Sequence, residues 1–259
     1  MVDKTKTGYI VGFAAAVCGV FGAVVSIAAV QLKPQQVENK VLDQQKQVLS
    51  VANLLPEGGG DKAAIKQLFD SNIKAEVIEL HSGKPVDGVD VATFDQQKAK
   101  KDPASSAPAP TNNAKIQRLP KQAKVFQVMK DGKVDAIVLP IEGYGLWSTL
   151  YGFLALEADG TTIKGITYYE HGETPGLGGE VDNPLWKAKW PGRKAFDDQG
   201  KVAIAVAKGD FSDKAAHPYK VDALSGATIT SNGVTNMLQF WLGEHGFGPY
   251  LAEYKKGHK

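Results

Sequence analysis

Cysteine is almost missing from this chain: Cys18 stands alone. One cysteine excludes an intramolecular disulfide, a zinc site built from four cysteines, a CxxCH haem attachment and a protein-ligated iron–sulfur cluster. Any redox chemistry would need an organic carrier. An excess of one charge is also missing. Lys and Arg total 30 against 28 Asp and Glu, and the net charge of +2 offers neither a basic stripe for nucleic acid nor an acidic surface for cations. His171 has no histidine or cysteine neighbour at ligand spacing, which argues against a metal centre. There is no dinucleotide fingerprint around Gly176 and Gly178, because Val181 stands where the third glycine of G-x-G-x-x-G would fall.

What is present is an ordinary apolar content, 43%, in 259 residues, enough for one large domain or two small ones with a sizeable core. Tyr9 to Val30 holds no charged residue and matches the roughly 20 residues that cross a bilayer as a helix. The rival is a cleaved signal peptide, with Lys4 and Lys6 as its basic start and Ser26 and Ala28 at the small positions before a cut. The apolar run exceeds the usual signal-peptide core of about 7–15 residues, which favours a retained span over residues 9–30. Val17 before Cys18 argues against a lipobox. Lys4 and Lys6 on one side balance Lys33 and Lys40 on the other, but a short basic tail is easier to leave in the cytoplasm than a long domain. Residues 1–8 are therefore expected to be cytoplasmic and residues 31–259 periplasmic. Gly8, Gly12, Ala15, Gly19 and Ala23 form a small-residue stripe, either a face for a neighbouring helix or the ordinary composition of such spans.

Beyond Pro34, read as the exit from the membrane, Val37, Val41, Val48, Val51 and Leu55 recur near helical period until Pro56 and residues 58–60 stop them. A second helix is predicted from Asp61, as N-cap, to Phe69, and a strand from Ala75 to Leu80. Residues 95–113, rich in Gln, Lys, Ala, Ser and Pro, read as a surface loop or a boundary between two subdomains. Ala123 to Met129 and Val134 to Leu139 flank Asp131-Gly132 and predict a hairpin. Strands are also expected at Gly152 to Ala158, Ile163 to Glu170 and Val202 to Ala207, and a last helix from about Ser231 to His245. Adjoining strands outnumber helices, so the expected class is α+β, an N-terminal transmembrane helix followed by antiparallel sheet with flanking helices.

The chemistry is expected at Asp222-Ala223-Leu224-Ser225-Gly226-Ala227-Thr228, a small-residue turn running into the last helix, capped by Thr230 or Ser231. A helix N-terminus presents unpaired N–H groups and a positive dipole end, which favours a phosphate. Gly226 and Ala227 leave room for a bulky group to reach the Thr228 hydroxyl. The plain alternative is a capped turn without a ligand. A second stretch, His171-Gly172-Glu173-Thr174-Pro175-Gly176-Leu177-Gly178, makes a stiff turn whose backbone can approach a flat ring, or an ordinary loop between strands. Trp147, in Gly143-Tyr144-Gly145-Leu146-Trp147, either packs on a ligand or fills the core.

These residues carry a resemblance. Asp-x-x-Ser-Gly-Ala-Thr is the pattern of FMN-binding domains modified by a flavin transferase, in which the final threonine accepts the FMN phosphate; here it is Thr228. The Gly143–Trp147 and His171–Gly178 stretches, the anchor and the length resemble the C subunits of bacterial Na+-translocating NADH:quinone oxidoreductases over essentially the whole chain. The G subunit of the Rnf electron-transport complex shares the threonine motif and the single span, and is the nearest alternative. The resemblance implies covalent FMN on Thr228, with Asp222, Ser225, Gly226, Ala227, Trp147, Glu173, Thr174, Gly176 and Leu177 around it. It implies a relay of electrons inside an inner-membrane complex that oxidises NADH, reduces quinone and exports Na+, in a chain that does not oxidise NADH alone. A different class of function, a non-redox membrane-tethered envelope binding protein, would leave the Ser-Gly-Ala-Thr turn as nothing more than a helix start.

Overall fold

The computed structural model describes residues 6–56 and 58–257; Lys4, in the basic tail, lies outside them. The chain divides into two compact units, Met1–Asp43 and Gln44–Lys259. The first is formed by helix α1, Thr7–Val51, whose last turns enter the second unit. Its apolar part has a mean hydropathy of 2.4 with nothing buried, so it is long and apolar enough to cross a membrane. Val11, Val20, Phe21 and Val25 stand exposed on the part of α1 that carries no charge, residues 9–30, a surface suited to lipid rather than water. Pro34, read as the exit from the membrane, lies inside the helix, which continues through it to Val51. A proline costs a helix interior about 3 kcal/mol, and the long ladder on both sides outweighs one missing bond. Val37 and Val41, expected on an apolar face, are exposed.

The stop of α1 is also earlier and better defined than Pro56. Asn53 takes φ 59°, its N–H reaches Ser50 O at 3.0 Å, and the Leu54 N–H reaches Leu49 O at 2.9 Å. That pair of bonds closes the helix with a left-handed residue, a role asparagine tolerates. Helix α2, Lys62–Asn72, starts as expected, with the Asp61 carboxylate accepting from Ala64 N at 2.8 Å.

The body of the second unit is an antiparallel sheet of β1 (Ile73–Glu79), β4 (Gln122–Lys130), β5 (Lys133–Tyr144), β6 (Thr149–Glu157) and β7 (Ile163–Glu170), in the order β1-β4-β5-β6-β7. The β4–β5 turn uses Asp131 at φ 50° and Gly132 at φ 75°, the doubly left-handed turn that Asp-Gly signals. Alternation sorts the sheet's faces. Ile137, Leu139, Ile141, Leu150, Leu154 and Leu156 join the main core, each burial contributing about 1.5–3 kcal/mol. The interleaved Ala136, Val138, Phe153 and Ala155 are buried too, outside that cluster. On β7, Gln47 Oε1 accepts from Thr167 Oγ1 at 2.7 Å, which fastens the end of α1.

Residues 95–113, expected as loop or boundary, contain helix α3 (Gln96–Lys101) and strand β2 (Ser106–Pro108), which pairs with β3 (Arg118–Pro120). Asp95 caps α3, and Lys100 on it pairs with the buried Glu142 of β5, so polar composition here did not prevent ordered docking. After β7 come a 3-10 turn, Gly178–Asp182, and the one-turn helix α4, Pro184–Lys187. Strands β8 (Ala205–Ala207) and β9 (Lys220–Asp222) pair in parallel; only Val202, through a bridge to Phe196, extends the strand expected there. Helix α5 (Thr228–Trp241) packs its Val234, Leu238 and Trp241 side into the core against β5. Helix α6 (Gly248–Gly257) was not expected, because its short run buries only Tyr250, Leu251 and Tyr254.

Candidate functional site

Strand β9 delivers the chain to a turn in which the Ala227 N–H bonds Leu224 O at 3.2 Å, with Gly226 at φ 70°. Helix α5 then begins at Thr228 rather than near Ser231. Thr230 and Ser231 are not its caps. The N-cap position is Ala227, whose side chain makes no capping bond, and the helical ladder opens with Ser231 N to Ala227 O at 3.0 Å. The amides of Thr228, Ile229 and Thr230 therefore precede the ladder and face outward with the positive end of the dipole. Ser231 is buried and braces the turn from below, its Oγ accepting from Leu224 N at 3.0 Å. Ser225, Gly226 and Thr228 are exposed and Ala227 is buried.

Asp222 is taken up by partners within the protein. Its carboxylate pairs with Lys189 and accepts from Phe211 N at 2.7 Å, while its carbonyl accepts from Trp186 Nε1 at 2.8 Å. The motif's first residue thus fastens β9 to the 186–189 and 211 segments, and its side chain supports the turn rather than filling it.

The second loop folds as its residues dictate. Leu177 N bonds Thr174 O at 3.1 Å across Pro175 and Gly176, with Gly176 at φ 77°, a turn that takes proline second and glycine third. It holds Leu177 exposed, its Cδ2 so close to Gly226 that a β-carbon there would lie at 2.9 Å. Thr174 and Gly176 are exposed as well. This loop and the Thr228 turn are therefore in contact.

Glu173 joins all three motifs. Only 5% exposed, its carboxylate accepts from the amides of Trp147 at 2.9 Å, Leu146 at 3.1 Å and Ser148 at 3.3 Å, and from Thr230 Oγ1 at 2.5 Å. Burial pushes its carboxyl up, but the Thr230 hydroxyl and the three amides outweigh burial and hold it below the ordinary value. Gly145 and Gly178 make the space: β-carbons there would lie 2.7 Å and 2.4 Å from its carboxylate oxygens. Both glycines stand inside motifs visible in the sequence, Gly178 as part of a turn open to a flat ring, but that they admit the Glu173 carboxylate, with Thr230 as its partner, is a tertiary fact. Ser148 adds a link, its Oγ accepting from Gly172 N at 2.6 Å.

Trp147 is 65% exposed, which rules out core filling. Outside α1, the large apolar side chains that stand exposed among the described residues are Leu146, Trp147, Leu177, Leu185 and Ile229. Four of the five belong to the loops just described or to the first turn of α5. An uncapped helix start, an exposed threonine hydroxyl and apolar side chains beside it suit a ligand with an anionic end and a flat apolar body.

The FMN-binding domain family matches residues 145–243, which include all three loops from Gly145 on and α5. The C subunit of the Na+-translocating NADH-quinone reductase of Pseudomonas aeruginosa is 48% identical over 99% of this chain and 99% of its own length. The chain belongs to the family of these C subunits. Its similarity extends to the corresponding protein of Vibrio vulnificus, 45% identical over 98% of this chain and 96% of that one. Among solved structures, the NqrC of Shewanella oneidensis superposes with a TM-score of 0.76 at 38% identity, covering 82% of this chain and 96% of its own. The C subunit from Parabacteroides distasonis gives 0.65 at 28% identity, covering 85% and 96%. As in the sequence-based expectation, the fold is α+β with an N-terminal apolar helix and an antiparallel sheet; the FMN-binding match covers the turn, the loops and α5.

Proposed function

We propose that this chain is an electron-transfer subunit of a Na+-translocating NADH:quinone oxidoreductase and carries FMN as a phosphoester on Thr228. The observation that carries the reading is the first turn of α5. There Thr228 is exposed, no side chain caps the helix, and the family match covers it. The residues suit the group. Amides at the helix start favour the phosphate, and Leu177, Trp147 and Leu146 offer apolar surface for a flat ring. FMN, when bound, supplies reversible transfer of one or two electrons, which the protein itself lacks the groups to perform.

This chain's own residues then have separate tasks. Ser225, Gly226 and Ala227 keep the approach to Thr228 Oγ free of bulk; Thr174, Pro175 and Gly176 present Leu177 beside it; and Asp222, through Lys189 and Trp186, keeps the turn in place. An ester bond serves retention, since a cofactor lost outside the cytoplasm is not easily replaced. The reading implies a flavin transferase for maturation and sister subunits in the inner membrane. It places residues 1–8 in the cytoplasm, residues 9–30 across the bilayer and residues 31–259 in the periplasm. Intact-mass measurement of chain co-produced with a flavin transferase should show one added FMN less one water, and Thr228→Val should abolish the addition. An adduct that survives that substitution sinks the assignment to Thr228.

A further inference from the structure

We propose that Glu173 is a positioning residue for the flavin site: its buried carboxylate clamps the loop of Leu146, Trp147 and Ser148 to the first turn of α5 and so fixes Trp147 relative to Thr228. The inference rests on the reading of Thr228 given above, and it gives Glu173 a different task from the flavin contact that the resemblance implies. A carboxylate has about four lone-pair sites. Four donors of this protein already face them, three backbone amides and the Thr230 hydroxyl. Little acceptor capacity remains for a ligand.

The bonds run between the parts that matter. Trp147 has its side chain exposed while its amide is held at 2.9 Å by Glu173, and Thr230 stands two positions after Thr228 on the same helical turn. One carboxylate thus registers an exposed aromatic against the attachment site. The cradle is built for an acid of this size, because Gly145 and Gly178 approach its oxygens more closely than any β-carbon would allow. A negative charge at the start of α5 also complements the helix dipole. The three amides converge on one carboxylate oxygen and the Thr230 hydroxyl meets the other, so glutamine can keep the geometry only with neutral bonds in place of charge-assisted ones, about half as strong, and with the Thr230 hydroxyl turned to accept.

The test uses the full chain in detergent, first unloaded and then carrying flavin. In the unloaded chain, hydrogen exchange at the amides of residues 146–148 should accelerate about tenfold or more in Glu173→Gln and in Thr230→Val, and stay as in the parent in Thr230→Ser. Protection across β5 and β6 serves as the check on folding. Trp186, Trp190 and Trp241 are buried, so collisional quenching of tryptophan fluorescence reads Trp147 and should change in the same two variants. In the loaded chain, Glu173→Gln removes a negative charge and should move the flavin midpoint potential to a more positive value, while Thr230→Ser should keep the parent potential. Parent-like exchange at residues 146–148 in both Glu173→Gln and Thr230→Val overturns the clamp. Faster exchange with an unaltered potential and unaltered flavin loading overturns the positioning role and leaves a structural bond. If Glu173→Gln does not fold, Thr230→Val and Thr230→Ser, which keep the carboxylate, still decide. An adduct surviving Thr228→Val defeats the attachment reading alone, and the exchange measurements then judge the clamp separately.

Discussion

Glu173 shows how a buried acid can remain an acid. Burial disfavours its charge, yet Thr230 Oγ1 and three amides reverse the balance and lower the pH at which it takes up a proton. The sign of its linkage follows. A carboxyl depressed on folding contributes stability above the unfolded value, and that contribution is lost as pH falls through the folded value. Thermal melting of the parent chain, followed by circular dichroism from about pH 6 down to about pH 3, should therefore fall more steeply than that of Glu173→Gln. The variant should melt lower than the parent near neutral pH, where the parent's carboxylate is charged and fully bonded. Parallel slopes in this range would show that Glu173 ionises alike in the folded and unfolded chain.

At the scale of the element, the start of α5 illustrates how a functional turn is held from beneath. Ser231 is buried and its Oγ takes the Leu224 amide, so the turn is braced without a side chain on its outer surface. Ser231→Ala should leave that amide without its acceptor and cost about 1–3 kcal/mol, read as a lower urea midpoint at unchanged slope. Flavin loading at Thr228 should fall with it, because the turn that presents the hydroxyl loses its brace. An unchanged midpoint would mean that water replaces the serine. Periodicity could identify a helix after Thr228 but not its first residue. Thr230 and Ser231 are the residue types that cap helices, and they misled the reading because tertiary partners, Glu173 and Leu224, claim their hydroxyls instead. Asp61 made the same kind of signal dependable, since it is exposed and takes its bond from Ala64 in its own helix.

The whole molecule joins an apolar helix to a compact redox fold, and the two units answer to different solvents. The anchor's apolar surface has no protein cover, and its length suits a bilayer. If the short basic tail is left in the cytoplasm, as proposed, protease added to spheroplasts should digest the second unit, while inverted vesicles should protect it. The opposite pattern would reverse the topology.

The sequence by itself determined the local events of this fold: the apolar span, the Asp131-Gly132 hairpin, the Asp61 cap and the Pro175-Gly176 turn. In each, neighbours along the chain supply both partners of the interaction, so residue type and spacing suffice. It also placed a small-residue turn ahead of the last helix, and the resemblance to FMN-binding domains singled out Thr228 within it. Only the tertiary structure decided that Asp222 binds Lys189, that Glu173 turns onto the amides of residues 146–148, that Trp147 stays outside the core and that residues 95–113 dock on the sheet. Those outcomes depend on partners about 25 or more residues away in the chain, whose approach is set by sheet register and helix packing rather than by local preference.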